Sequence, residues 1–255
     1  MSEPFDSDFS YSFYLKLLDA HRPLYDLKPL EEFDPSIEGR LYLRHDVDLC
    51  IDSAIAMAEI EAAHGIAATY MFIPTSPLYQ LEARRSDLRR LRSLGHEVAI
   101  HFDVTTSEVD PDDEQAILAA IDAQCDRIGD LTGEPVRSVS FHRPLSIFLR
   151  GPDKFGGRVN AYSKSLMDHY RSDSAGRWRE GNPLRNIPDA PIAQLLTHPI
   201  WWGPEHSEPD VRLEMNFRRR TNGLPMKNRD ELSALLEATV PGVIRRNSPN
   251  KTGMA

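Results

Sequence analysis

The stretch SLGHEVAIHFDV, residues 93–104, decides how this chain reads. Gly95 stops a helical pattern marked by Leu78, Leu81, Leu88, Leu91 and Leu94, and EVAIHF (97–102) then has strand composition. The strand runs out through His101 and Asp103, which an element that only fills a core would not choose. Alternate side chains of a strand share a face, so these two project to the same side.

Working outward, the pattern repeats. LYLRHDV (41–47) reads as a strand, followed by helix-periodic Ile51, Ala54, Ile55, Ala58 and Ala62 up to His64-Gly65. AATYMFI (67–73) is the next strand. Asp110-Pro111-Asp112-Asp113-Glu114 opens a helix with a cap, a first-turn proline and acids suited to the helix dipole. VRSVSFH (136–142) is a further strand, and FSYSFYLKLLDAHR (9–22) an N-terminal amphipathic helix. Beyond residue 143 the pattern loosens. The Gly/Pro/Asn-rich segment 144–191 holds one short strand near His169–Arg171 and is expected to shape a substrate cleft. IAQLLTH (192–198) is a strand and 228–239 a helix. Alternating strands and helices with apolar strands predict an α/β fold: a parallel sheet with helices outside it. We expect one domain over residues 1–246 and a flexible tail over 247–255.

A formal charge of −9 disfavours a nucleic-acid partner. The clusters Arg218-Arg219-Arg220 and Arg245-Arg246 read as local solvated faces. Cys50 and Cys125 match no zinc motif and are too few for a disulfide framework. The sequence has no basic-then-apolar leader at its start and no apolar run of membrane-spanning length, so the expectation is a cytoplasmic protein without a transmembrane segment.

Four of the strands end in polar residues: Arg44-His45-Asp46-Val47-Asp48, His101-Phe102-Asp103, Ser140-Phe141-His142-Arg143 and Thr197-His198-Pro199. Carboxyl ends of parallel strands gather at one rim, where ligands bind. Singly, Asp48 could cap a helix, His101 could be a satisfied core histidine, Asp103 could hold a turn and Arg143 a surface carboxylate. These readings are independent, and their coincidence at one rim favours a site instead. Carboxylates and imidazoles around one point are what a divalent metal such as zinc requires. His64 suits a helix end; His21, His169 and His206 have no evident partner in sequence. His96 is ambiguous, and His45 points away from the aspartates.

These motifs resemble the polysaccharide deacetylases, carbohydrate esterase family four. The resemblance implies a single distorted (β/α) barrel of about six to seven parallel strands. It assigns the base to Asp46 and a metal ligand to Asp48. Gly95-His96-Glu97 followed by His101 is similar to the lead of the second motif, which makes His101 a ligand. The second histidine of that motif falls on Thr105, so a third ligand must come from elsewhere: His142 is preferred, with Asp103 the other candidate. With His142 as ligand, Asp103 orients a ligand or contacts substrate. Phe141-His142-Arg143-Pro144 is similar to the third motif, so Arg143 is expected to pair with the base. Ser172-Asp173-Ser174-Ala175-Gly176-Arg177-Trp178 occupies the place of the fourth motif, with Asp173 and Trp178 bordering the sugar. Leu195-Leu196-Thr197-His198-Pro199 fits the fifth, with His198 as general acid and Trp201 and Trp202 as stacking surfaces.

The resemblance implies a metal-dependent hydrolase, zinc the expected metal, removing an acyl group from an N-acylated amino sugar. A sugar nucleotide, a lipid-linked glycan or another precursor of surface polysaccharide suits the expected location. Thr105 motivates the alternative, a carbohydrate-binding or assembly protein that kept the fold without the chemistry.

Overall fold

The computed structural model describes residues 8–178, 180–221 and 226–239. The expected tail 247–255 and the Arg245-Arg246 pair lie outside the described residues. The strands are β1 (Asp26–Lys28), β2 (Arg40–Val47), β3 (Thr69–Phe72), β4 (Glu97–Phe102), β5 (Ser138–Phe141), β6 (Lys154–Phe155), β7 (Arg158–Asn160), β8 (Tyr170–Ser172) and β9 (Ile192–Thr197). The helices are α1 (Tyr11–His21), α2 (Ile51–Ala63), α3 (Arg85–Ser93), α4 (Glu114–Thr132), α5 (Lys164–Met167), α6 (Pro209–Thr221) and α7 (Met226–Thr239).

One sheet runs in the order β6-β7-β5-β4-β3-β2-β9-β8, with β1 also paired to β2. All its pairings are parallel except the short β6–β7 hairpin. Among the described residues no ladder joins β6 to β8, so the barrel is an open, curled parallel sheet with two free ends. β2, β3, β4 and β9 are buried along nearly their whole length, as helices on one face and a filled interior on the other require. The register pairs Arg40 through His45 of β2 with Ile192 through Thr197 of β9.

The strands read from sequence recur within a residue or two, and the differences are local. Leu78 and Leu81 precede α3, which begins at Arg85 after a 3-10 turn at Glu82–Arg84. The cap of α4 is Asp113, whose side chain accepts from Ala116 N at 3.0 Å. Asp110-Pro111 forms the turn before it, closed by Asp113 N donating to Asp110 O. Helix α6 escaped the sequence reading because its row of arginines hides the buried Leu213. At the lower end a 3-10 turn, Leu30–Glu32, plugs the sheet: Leu30 N donates to Thr69 Oγ1 (2.6 Å) and Glu31 N to Glu97 Oε2 (2.8 Å).

A candidate metal centre at the strand rim

On β2 the side chains alternate, so Arg44 and Asp46 face the sheet interior while His45 faces the helices. Asp48 lies just past the strand. It does not cap α2, whose N-cap is Cys50. On the neighbouring wall, His142 N donates to Phe102 O (2.8 Å), which carries the β4–β5 ladder past its last strand residue and sets His142 beside His101.

One atom each from Asp48, His101 and His142 converge on a single point. His101 Nε2 lies 3.4 Å from Asp48 Oδ1, His142 Nδ1 lies 3.5 Å from the same oxygen, and the two nitrogens are 3.3 Å apart. Tetrahedral ligands at about 2.0–2.1 Å from zinc stand about 3.3–3.4 Å from one another. The three separations therefore match edges of such a tetrahedron. Asp48 Oδ1 is buried and makes no hydrogen bond, so it keeps its lone pairs for another partner. His101 Nδ1 is hydrogen-bonded to Ser140 Oγ (2.6 Å), which turns Nε2 toward the centre. Donor types, spacing and the unused oxygen all fit a divalent metal. Asp103, the other candidate ligand, is not in the cluster. Its Oδ1 accepts from Thr105 N (3.1 Å) and its carbonyl from Ser107 Oγ (2.6 Å), so it holds the turn.

Two further groups flank the triad. Asp46 is gripped bidentately by Arg44: Nε donates to Oδ1 at 2.8 Å and Nη2 to Oδ2 at 2.7 Å. The Arg44 guanidinium is fully buried and lies over the Tyr162 ring, 4.7 Å from its centroid. Burial works against a charge on Asp46, but Arg44 and then His101 outweigh it and hold the carboxyl below its ordinary range. The same contest on Asp48 is won by His142, His101 and His198, which keep it ionised. Burial pushes His101 down to about 4 against the pull of Asp46 and Asp48, so its imidazole is neutral, as a ligand must be.

On the opposite side, His198 Nε2 lies 3.8 Å from Asp48 Oδ2. Its Nδ1 donates to Asp173 Oδ1 (2.6 Å). Asp173 also accepts from His198 N and from Trp202 Nε1 (2.8 Å). Burial opposes the imidazolium, yet Asp173 outweighs it and lifts His198 to about 9. At neutral pH it is a proton donor.

Three expectations need correction. The arginine paired with Asp46 is Arg44, not Arg143. The Arg143 side chain is 45% exposed, hydrogen-bonded to Thr105 Oγ1 and 3.7 Å from Asp103. The two-residue alternation on β2 could have revealed this. Asp173 does not border a sugar; it is fully buried and orients His198. Trp178, Trp201 and Trp202 are core side chains with no open ring face, Trp202 packing against Phe9 and Tyr14. The alternation rule could not foresee this, because these tryptophans lie in loops and turns.

No protein-family model matches the chain, and no curated protein matches it. Its structure is similar to the catalytic domain of peptidoglycan N-acetylglucosamine deacetylase from Eubacterium rectale, with a TM-score of 0.43 and 16% identity over 74% of this chain and 88% of that one. It is similar to a family 4 carbohydrate esterase from Bacillus anthracis, with a TM-score of 0.42 and 16% identity over 83% of this chain and 86% of that one. A third is a CE4 family pseudoenzyme from Bacillus anthracis, with a TM-score of 0.41 and 15% identity over 74% of this chain. The chain spans 63% of that pseudoenzyme's length. The structures this chain is similar to thus include both a named deacetylase and a pseudoenzyme.

Proposed function

We propose that the chain is a divergent relative of carbohydrate esterase family four, a metal-dependent hydrolase that removes the acyl group of an N-acylated amino sugar. The observation that carries this reading is the near-tetrahedral spacing of one atom each from Asp48, His101 and His142, of which Asp48 Oδ1 makes no hydrogen bond. A base and an acid stand ready on either side. A pure binding protein has no use for that combination.

A divalent metal held by these three residues, zinc for preference, supplies Lewis acidity toward an acyl carbonyl and toward a water. Asp46, kept ionised by Arg44, takes the proton from the attacking water. His198, kept protonated by Asp173, gives its proton to the departing amine. The exposed Arg143, with the buried Asp103 3.7 Å behind it, is the group we assign to substrate contact. The substrate class we assign is a precursor of surface polysaccharide, a sugar nucleotide or lipid-linked glycan. Among the described residues no helix is long and apolar enough to cross a membrane.

Elemental analysis after dialysis against metal-free buffer tests the reading. Near one equivalent of metal is expected in the wild type and none in His142→Ala. A wild type that takes up no metal even when zinc is added back would overturn the hydrolase and leave the carbohydrate-binding alternative.

A further inference from the structure

Behind the rim, on the face of the sheet turned to the helices, lies a second buried polar cluster. Its centre is Glu61 of α2, fully buried and, among the described residues, with no lysine or arginine on it. Tyr14 of α1 donates to its Oε1 and Tyr70 of β3 to its Oε2, each at 2.5 Å. His45 of β2 donates from Nε2 to Oε1 at 2.9 Å. The other nitrogen of His45 is hydrogen-bonded to Thr197 Oγ1 of β9 at 2.7 Å. His96 closes the far side with Nδ1 3.7 Å from Oε2, while its Nε2 donates to Ala58 O (2.9 Å).

Isolated carboxylates are expensive to bury, and apolar side chains of similar volume are often neutral or stabilising in their place. A fully connected network instead specifies one arrangement of the groups it joins. What Glu61 joins is specific. His45 and Thr197 are register partners across β2 and β9. The residues that follow them are Asp46 and His198, the base and the acid of the proposed reaction. One hydrogen-bonded chain, Glu61–His45–Thr197, thus ties together the two peptides from which those groups project. It does so at the last pair of the β2–β9 ladder, where β9 ends and nothing further in that ladder ties it to β2, which stays paired with β3 through Val47.

We propose that Glu61, acting through His45 and Thr197, is a positioning residue: it holds the ends of β2 and β9 so that Asp46, Asp48 and His198 converge on the metal triad. The proposal rests on the hydrolase reading for its purpose but not for its test. Tyr14 and Tyr70 complete the acceptor shell of Glu61, and burial together with Glu61 keeps both phenols protonated as donors.

Zinc affinity of the full-length protein, read by competition with a chromophoric chelator, tests it beside the melting temperature. Thr197→Val removes the hydroxyl and keeps the shape; Thr197→Ser keeps the hydroxyl. Thr197→Val should bind zinc about tenfold more weakly, the size usual for residues supporting a metal site from behind, at an almost unchanged melting temperature. Thr197→Ser should bind like the wild type, and Glu61→Gln should follow Thr197→Val. If Glu61→Gln fails to fold, the Thr197 pair alone decides. Affinity within twofold of wild type in Thr197→Val, or a loss shared equally by Thr197→Ser, would overturn the proposal. A wild type that binds no zinc overturns the hydrolase reading alone. Amide exchange across residues 44–48 and 195–199 then decides: acceleration confined to these segments in Thr197→Val supports positioning, and unchanged exchange sinks it.

Discussion

Arg44 and Asp46 form an ion pair with almost no solvent, and such pairs punish the removal of one partner far more than the removal of both. Arg44→Met leaves Asp46 buried without its cation and should cost about 3–5 kcal/mol in urea unfolding. Arg44→Met with Asp46→Leu should recover part of that loss; a double variant no more stable than the single one would refute the buried-charge account. Asp46→Asn should retain metal and lose roughly 10²–10⁴-fold in rate on a confirmed substrate, the range for removing a general base. Asp173→Asn keeps the shape of the orienting carboxylate but not its charge. It should leave metal content intact while hydrolysis falls by a similar factor, because His198 loses the partner that keeps it protonated.

At the scale of elements, what matters is where each helix and strand stops. Helix α4 begins at Asp113, and capping side chains are worth about 1 kcal/mol each. Asp113→Ala should therefore destabilise the protein by about that amount in denaturant titration. Asp110→Ala, in the turn before, should cost less, and equal losses would move the cap. The ends of β4 and β5 illustrate the same logic at the site. One backbone hydrogen bond beyond the ladder, His142 N to Phe102 O, decides that two imidazoles meet.

For the whole molecule, the curled sheet has a polar upper rim that carries the candidate metal centre and a sealed lower end, and the seal contains a carboxyl. Glu97 is buried, accepts from Ser138 Oγ (2.6 Å) and Thr69 Oγ1 (2.7 Å), and burial lifts it to about 7 despite those donors. A carboxyl raised from 4.5 in the unfolded chain to about 7 in the fold adds stability that is fully present below pH 4.5. That contribution is lost as pH rises toward 7. Glu97→Gln removes this titration. The wild type should lose on the order of 3 kcal/mol relative to Glu97→Gln between pH 4 and pH 8, measured as urea midpoints. Parallel pH curves for the two proteins would show that Glu97 does not carry the effect.

The alternation of short apolar strands with helices and the polar residues closing four of those strands were legible in the chain, because period-two patterning and helix stop signals are local. Asp46, Asp48, His101, His142 and His198 could accordingly be named as one group before any coordinates. Parallel topology brings them to one rim, and the packing beyond the strand ends decides which of them touch. Other features depend on neighbours distant in sequence, and only the packed structure decides them. Arg44 and Asp46 share a strand face by alternation, but only the closed interior around them decides that no solvent separates the pair. Asp173 meets His198 because β8 lies beside β9, and the tryptophans turn inward because loops have no periodicity from which to read burial. Glu61 looks from sequence like one more acid on a helix. It becomes the centre of a buried network only when α1, α2 and the back of the sheet close over it and leave its charge no water to turn to.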